Sequence, residues 1–297
     1  MDVTIELDSL NVGKTNIVKS KTLSFAGKAL NVAIGVARLG GDVRATGIMY
    51  RENGNAFENV LTQEGVPYTF VWNKGRVREN YKFIDNRSML TEVNDVGEEI
   101  TREKAEEVLS TVRDLSKGSK VVVLSGGLPK GIKDSFYGEL VHAVDENCIK
   151  IVDASGTRML SAVQEGVDLV KPNLDELEDM LGRRITNKQE MLTACYELIH
   201  RGAKRVLLSL GKQGAVITDG TYNYYCKSLN VAVNSTVGAG DGMVAAVAMK
   251  LEKGACLQEI LRAGVAAGTA TVMTAGQISF TKEKYKEVYS NLQIRQI

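Results

Sequence analysis

Three small residues and an acid, Gly238, Ala239, Gly240 and Asp241 in VNSTVGAGDGMVAAVAMKL, stand just before an apolar, alanine-rich run. Positions 243–251 contain no helix breaker and read as a buried helix, so the glycines fall on its first turn. The first amide groups of a helix have no intrahelical partner, and small side chains leave them uncovered. With the positive end of the helix dipole they form a site for an anion, most often a phosphate. An acid beside that anion is costly as a mere cap, but it suits a general base taking a proton from a hydroxyl that attacks phosphorus. The alternative is a tight glycine turn in which Asp241 is an ordinary cap.

Such a base needs a scaffold, and composition bounds what that scaffold can be. The chain has 297 residues, 44% of them hydrophobic, enough to bury a large core. A formal net charge of +1 gives no reason to expect nucleic acid or an anionic membrane as partner. The start MDVTIELDSL carries acids rather than a basic-then-apolar signal, so the expected location is cytoplasmic. The uncharged run 263–281 is rich in Gly, Thr and Ala and reads as a buried helix with its turn rather than a membrane span. Cys148, Cys195, Cys226 and Cys256 are scattered without a C-x-x-C pair, which argues against zinc and against a disulfide framework. His142 and His200 lie in helical patterns far from any metal-like spacing.

The elements that must position the acid alternate along the chain. VRATGIM, KVVVLSG, CIKIVDASG, VDLVKPN and RVLLSLG are short β-branched runs ending in small or polar residues, each followed by a helical pattern. Helices are expected at 30–39, 54–64, 101–116, 134–146, 187–201, 240–253 and 257–274. The expected architecture is α/β, a mostly parallel doubly wound sheet flanked by helices, with ligands at the carboxyl edge. Two stretches, about 3–25 and 68–94, alternate polar and apolar residues without helices and are expected to form a small β lid of antiparallel strands. No repeat or linker divides the chain, so one domain over 1–297 is expected. NVGKT at 11–15 is not a P-loop, because Asp8 stands where its first Gly should be. A dinucleotide-dependent oxidoreductase is disfavoured because no G-x-G-x-x-G follows an early strand.

FAGKALNVAIGVARLGG at 25–41 and STVGAGDGMVAA at 235–246 resemble the two signature regions of the ribokinase-like sugar kinases, in the phosphofructokinase B group. GRVRENYKF, LSGGLPKGI, IVDASG, VKPNLDELEDMLG and LLSLGKQGAVI follow in that family's order, so the resemblance spans almost the whole chain. The wording is most like that of 1-phosphofructokinases, with tagatose-6-phosphate kinases next. The resemblance implies transfer of the γ-phosphoryl group of ATP, with Mg²⁺, to a phosphosugar: fructose 1-phosphate first and tagatose 6-phosphate second. A non-catalytic homologue that binds a phosphosugar or nucleotide is the reading from another class. The family often pairs lid strands between subunits, which implies a homodimer.

Carried over residue by residue, Asp241 matches the family's base, and the amides of Gly238, Ala239 and Gly240 match its anion hole. Asn173 and Glu176 match the N-x-x-E motif that holds Mg²⁺ and phosphate through water. Ser209, Gly211 and Gly214, with Thr236, Gly238, Gly240 and Gly276, match the nucleotide side. Gly27, Lys28, Asn31, Arg78, Asn80 and Ser125 match the sugar side. Two positions depart from the pattern: Gly127 stands where the family usually has a hydroxyl, and Ala29 replaces a glycine. Asp2 matches the sugar-binding acid of an L-N-P-x-x-D pattern that closes the family's first core strand. Its position implies that the main sheet lacks an interior strand. It also implies either an upstream start or an Asp2 on a fraying terminus.

Overall fold

The computed structural model describes residues 1–87, 89–274 and 280–297. In chain order the elements are β1 (Asp2–Leu7), β2 (Val18–Ser24), α1 (Lys28–Arg38), β3 (Ala45–Tyr50), α2 (Asn55–Gln63), β4 (Tyr68–Asn73), β5 (Asn80–Ile84), β6 (Leu90–Asn94), α3 (Arg102–Ser116), β7 (Val121–Ser125), α4 (Phe136–Ala143) and β8 (Ile149–Asp153). They continue as α5 (Thr157–Gln164), β9 (Leu169–Val170), α6 (Leu174–Leu181), α7 (Lys188–His200), β10 (Val206–Ser209), β11 (Ala215–Thr218), β12 (Asn223–Cys226), α8 (Ala239–Glu252), α9 (Leu257–Val272), α10 (Lys282–Asn291) and β13 (Ile294–Gln296).

The main sheet runs β13-β12-β11-β10-β9-β8-β7 and is mixed rather than mostly parallel. From β7 to β10 the pairings are parallel, because helices carry the chain back between strands. From β10 to β13 they are antiparallel. A single 3₁₀ turn at Gly211–Gln213 joins β10 to β11, and so short a link permits only a hairpin. Alternate residues of these buried strands divide between two cores. Ile151, Leu169 and Leu207 pack with α1, α8 and α9, while Val152, Val170 and Leu208 pack with residues of α3 to α7. Burial on both faces explains why the strands read as near-continuous apolar runs.

The sheet is interrupted beyond β7. β3 and β4 pair in parallel as a separate two-stranded sheet, with α1 packed against both β7 and β3. The stretch 68–73, expected in the lid, is therefore β4 of a β3-α2-β4 crossover: a helix precedes it, and that connection yields a parallel pair. The lid itself is β2-β1-β5-β6. Its pairings are not all antiparallel, since β1 lies parallel to β5 at its centre. Asp2 does not fray. It pairs with Ser24 on one side and Asn80 on the other, and the Met1 ammonium donates to the Arg78 carbonyl at 2.8 Å.

α8 is buried from Asp241 through Ala248, which accounts for its lack of a polar face. It fits because α9 meets it with glycines. A β-carbon built on Gly268 would lie 2.7 Å from Met243 Cγ, and one on Gly264 would lie 3.1 Å from Val247 Cγ2. α9 takes up the uncharged run as far as Val272. Among the described residues no helix is long and apolar enough to cross a membrane. All four cysteines are free, and three are buried.

Two effects oppose each other at Gly268. Alanine favours a helix over glycine by about 1 kcal/mol, while overpacking a filled core costs about 1–3 kcal/mol. With Met243 Cγ so near, overpacking wins, and Gly268→Ala should lower the denaturation midpoint. A raised midpoint would contradict the close approach of α8 and α9.

Candidate active site

Polar residues gather at the carboxyl edge of the parallel strands. Ser125 ends β7, Asp153 ends β8, Lys171 follows β9 and Ser209 ends β10. The start of α8 is set against this edge by a left-handed turn at Gly238, with φ of 80°. The Gly242 amide donates to the Gly238 carbonyl at 2.9 Å, while the Ala239 amide reaches the Thr236 carbonyl only at 3.4 Å. Gly238 holds the N-cap position, and no side chain caps the helix. Asp241 is thus not an ordinary cap. It is 6% exposed, and its Oδ2 accepts a hydrogen bond from Asn31 Nδ2 at 2.7 Å, across 210 residues of sequence.

The charges around Asp241 form a chain. Asp153 is fully buried, and its Oδ1 lies 3.3 Å from Lys28 Nζ and 3.2 Å from Lys171 Nζ. Lys171 is itself buried, and its Nζ would sit 3.3 Å from a β-carbon on Gly240, beside the first turn of α8. Burial pushes the Asp241 carboxyl up to about 6, opposed by the Asn31 hydrogen bond, raised further by Asp153 and lowered by Lys28 and Lys171. Burial works against the charge on Lys28, yet Asp153, Glu176 and Asp241 more than offset it and hold its pKa above the ordinary value. Three buried oxygens in this region have no hydrogen-bond partner among the described residues: Asn31 Oδ1, Ser125 Oγ and Asp153 Oδ2. Buried oxygens without a partner are uncommon, and one of these belongs to the carboxylate that holds both lysines.

The lid supplies a second group. Asp2, Arg78, Asn80, Lys82, Glu92 and Asn94 line a cavity of ≈ 280 Å³. Asp2 accepts from Asn80 Nδ2 at 3.1 Å and pairs with Lys82 Nζ at 2.7 Å. Arg78 joins lid and edge: a β-carbon on Gly127, two residues after β7, would lie 3.3 Å from its Nη2. Gly27 precedes α1 in extended conformation, and its carbonyl accepts the Asn31 amide at 2.8 Å.

At the same edge Asn173 and Ser209 stand opposite each other in a parallel bridge. Asn173 and Glu176 bond each other as a capping box of α6, with Glu176 N to Asn173 Oδ1 at 2.8 Å and Asn173 N to Glu176 Oε2 at 2.9 Å. Among the described residues no group of three or more acids, histidines or cysteines could cage a metal by itself. The donors suit Mg²⁺ held chiefly by phosphate oxygens and water, with Asn173 and the Glu176 carboxylate as its protein side. Gly211 opens the 3₁₀ turn, and Gly214 has a packing reason of its own, since a side chain there would strike the Cys226 carbonyl. Thr236 contributes its carbonyl to the turn before α8. Gly276 lies outside the described residues.

Asp153, Lys171 and Lys82 escaped the residue-by-residue reading. The signal was there for the first two, as a charged residue closing each of the apolar runs IVDASG and VKPN.

The pattern of a pfkB family carbohydrate kinase matches residues 1–284, and the chain belongs to that family. It is 33% identical over 280 residues to the ATP-dependent 6-phosphofructokinase isozyme 2 of Escherichia coli, covering 90% of this chain and 87% of the relative. It is 28% identical to the 1-phosphofructokinase of Vibrio cholerae, covering 99% of this chain and 93% of that one. The crystal structure of Escherichia coli phosphofructokinase-2 in complex with potassium superposes with a TM-score of 0.89 at 30% identity, over 97% of this chain and 94% of the other.

A carboxylate that acts as a base must be ionised, so kcat/KM for a phosphosugar should rise with pH through about 6. The substrate phosphate also titrates near pH 6, so one profile does not identify the group. Asn31→Ala does, because it removes a hydrogen bond that favours the ionised carboxylate and leaves the substrate unchanged. Its acid limb should move to higher pH, and an unmoved or lowered limb would separate Asn31 from Asp241.

Proposed function

We propose that this pfkB-family kinase transfers the γ-phosphoryl group of ATP to a hydroxyl of a phosphorylated ketohexose, with fructose 1-phosphate as substrate and fructose 1,6-bisphosphate as product. The observation that carries the reading is Asp241: buried, oriented by Asn31, and seated in the uncapped first turn of α8 beside Lys171. Asp241 accepts the proton of the attacking hydroxyl at its carboxylate. The amides of Gly238, Ala239 and Gly240 receive phosphoryl oxygens, where fixed donors act without reorganisation. Lys28 and Lys171, held by Asp153, balance charge on either side of the transfer path. Bound Mg²⁺ supplies charge neutralisation to the phosphates. Asn173 and Glu176 would hold it through water, and Ser209, Gly211, Gly214 and Thr236 border the nucleotide.

Asp2 and Asn80 present hydroxyl partners to the sugar, and Arg78 takes the phosphate it already carries. The orientation of Asp2 by Asn80 and Lys82 supports this assignment. The choice of fructose 1-phosphate rests on the wording of the two signature regions. Fructose 6-phosphate is a second reading, favoured by the 33% identity to a 6-phosphofructokinase.

A coupled ADP-release assay with fructose 1-phosphate, fructose 6-phosphate, tagatose 6-phosphate and free fructose tests the proposal. The highest kcat/KM is expected with fructose 1-phosphate. Preference for a 6-phosphate would replace the substrate and keep the chemistry. Phosphosugar binding without ADP release would leave a non-catalytic homologue.

A further inference from the structure

Two guanidinium groups converge on a residue that has no side chain. A β-carbon on Gly127 would lie 3.3 Å from Arg78 Nη2, 3.8 Å from Arg78 Nη1 and 3.6 Å from Arg158 Nη1. Arg78 comes from the segment before β5, and Arg158 from the first turn of α5. The backbone of Gly127 is not in the left-handed region, so the conformation there does not demand glycine. What glycine provides is space for both side chains.

Like charges brought to one point repel, and the protein does little to neutralise them. Among the described residues the Arg78 side chain has no ion pair and no hydrogen bond. Arg158 Nη2 donates to the neutral Ser155 Oγ at 2.9 Å. Its Nε lies 3.8 Å from Asp134 Oδ1, and that half-exposed carboxylate also accepts a hydrogen bond from the Thr157 hydroxyl. α5 begins at Gly156 with no side-chain cap on its first amides, and Asp134 is the acid beside that helix end. The adjoining Gly126 touches Lys28, since a β-carbon there would be 3.9 Å from Lys28 Cβ. The two guanidinium groups thus adjoin the carboxyl-edge residues through the Gly126–Gly127 loop.

We propose that Arg158 is a specificity-determining residue, which with Arg78 clamps the phosphate that the sugar substrate already carries, Gly127 being the gap that lets both forks reach it. The inference rests on the phosphosugar reading of the site. A phosphate monoester carries about −1.5 to −2 charge at neutral pH and three acceptor oxygens, enough for two guanidinium groups. A hydroxyl in the same place accepts neither charge, so the clamp rejects unphosphorylated sugars by leaving two cations facing each other.

The test is steady-state kinetics of wild type, Arg158→Ala, Arg158→Lys and Gly127→Ala, with the preferred phosphosugar and free fructose as acceptors and ATP varied separately. Arg158→Ala should raise KM for the phosphosugar about 10- to 100-fold, the span for one charged hydrogen-bonding partner. Its kcat and KM for ATP should change less than about threefold, because a contact remote from the reacting atoms binds ground and transition states alike. Arg158→Lys should fall between, keeping the charge and losing the fork. Gly127→Ala should raise the same KM through the side chains it displaces, independently of any effect on α5. Discrimination between phosphosugar and fructose should narrow by the same factor as KM rises. An active wild type whose phosphosugar KM is unmoved by Arg158→Ala, or whose kcat alone falls, overturns the clamp and leaves the kinase reading standing. A wild type that uses fructose as well as its phosphates overturns the phosphosugar reading, and the clamp with it.

Discussion

Burying the Asp241 carboxylate at the start of an apolar helix costs free energy unless its surroundings favour the charge, and the arrangement around α8 reflects that cost. Asn31 donates to it from α1, so the packing of α1 against α8 is also the orientation of the acid. Lys28 and Lys171 bring positive charge near it, and buried Asp153 holds both lysines in turn. Removing Asp153 leaves buried Lys171 without its partner, and removing Asn31 leaves Asp241 without its hydrogen bond, which is why such a network behaves as a unit. The glycines of α9 belong to the same requirement, because without them α8 could not lie so deep.

The carboxyl edge and the lid divide the work. Edge residues come from the ends of buried strands, where backbone and core leave little freedom, and the proposed mechanism gives them the groups next to the reacting atoms. Lid residues stand on a four-stranded sheet with an exposed outer strand, β6, and the proposal gives them the parts of a substrate that do not react. Arg78 belongs to both. Its main-chain carbonyl receives the Met1 ammonium beside β1, while its guanidinium reaches the loop after β7.

Much of this was legible in the chain because the signals are local. Small residues before an apolar run identified the first turn of α8, and the rhythm of β-branched runs located strands β7 to β10 within a few residues. The readings that failed depended on contacts that no local pattern encodes. β4 alternates like a lid strand, but it is parallel to β3 because of the helix that precedes it. Asp2 looks like a loose end in sequence, yet strands from both sides and Lys82 hold it. Asp153 and Lys171 look like punctuation after apolar runs until the fold brings Lys28 to the same carboxylate. Arg158 has no sequence pattern to mark it, and only the space over Gly127 gives it meaning.

The most direct test of this account is Asp241→Asn, measured for both turnover and stability across pH. Its carboxyl titrates higher folded than unfolded, from an ordinary 3.8 to about 6, so ionisation in the folded state opposes folding. That penalty is absent below pH 4, grows through about 6 and is complete above it, of order 1–3 kcal/mol. Asn cannot ionise, so the variant should be more stable than wild type at pH 7 and no more stable below pH 4. Its kcat should fall about 10²- to 10⁴-fold while ATP still binds, since the amides of Gly238, Ala239 and Gly240 remain. Near-normal turnover by the Asn variant would contradict the account.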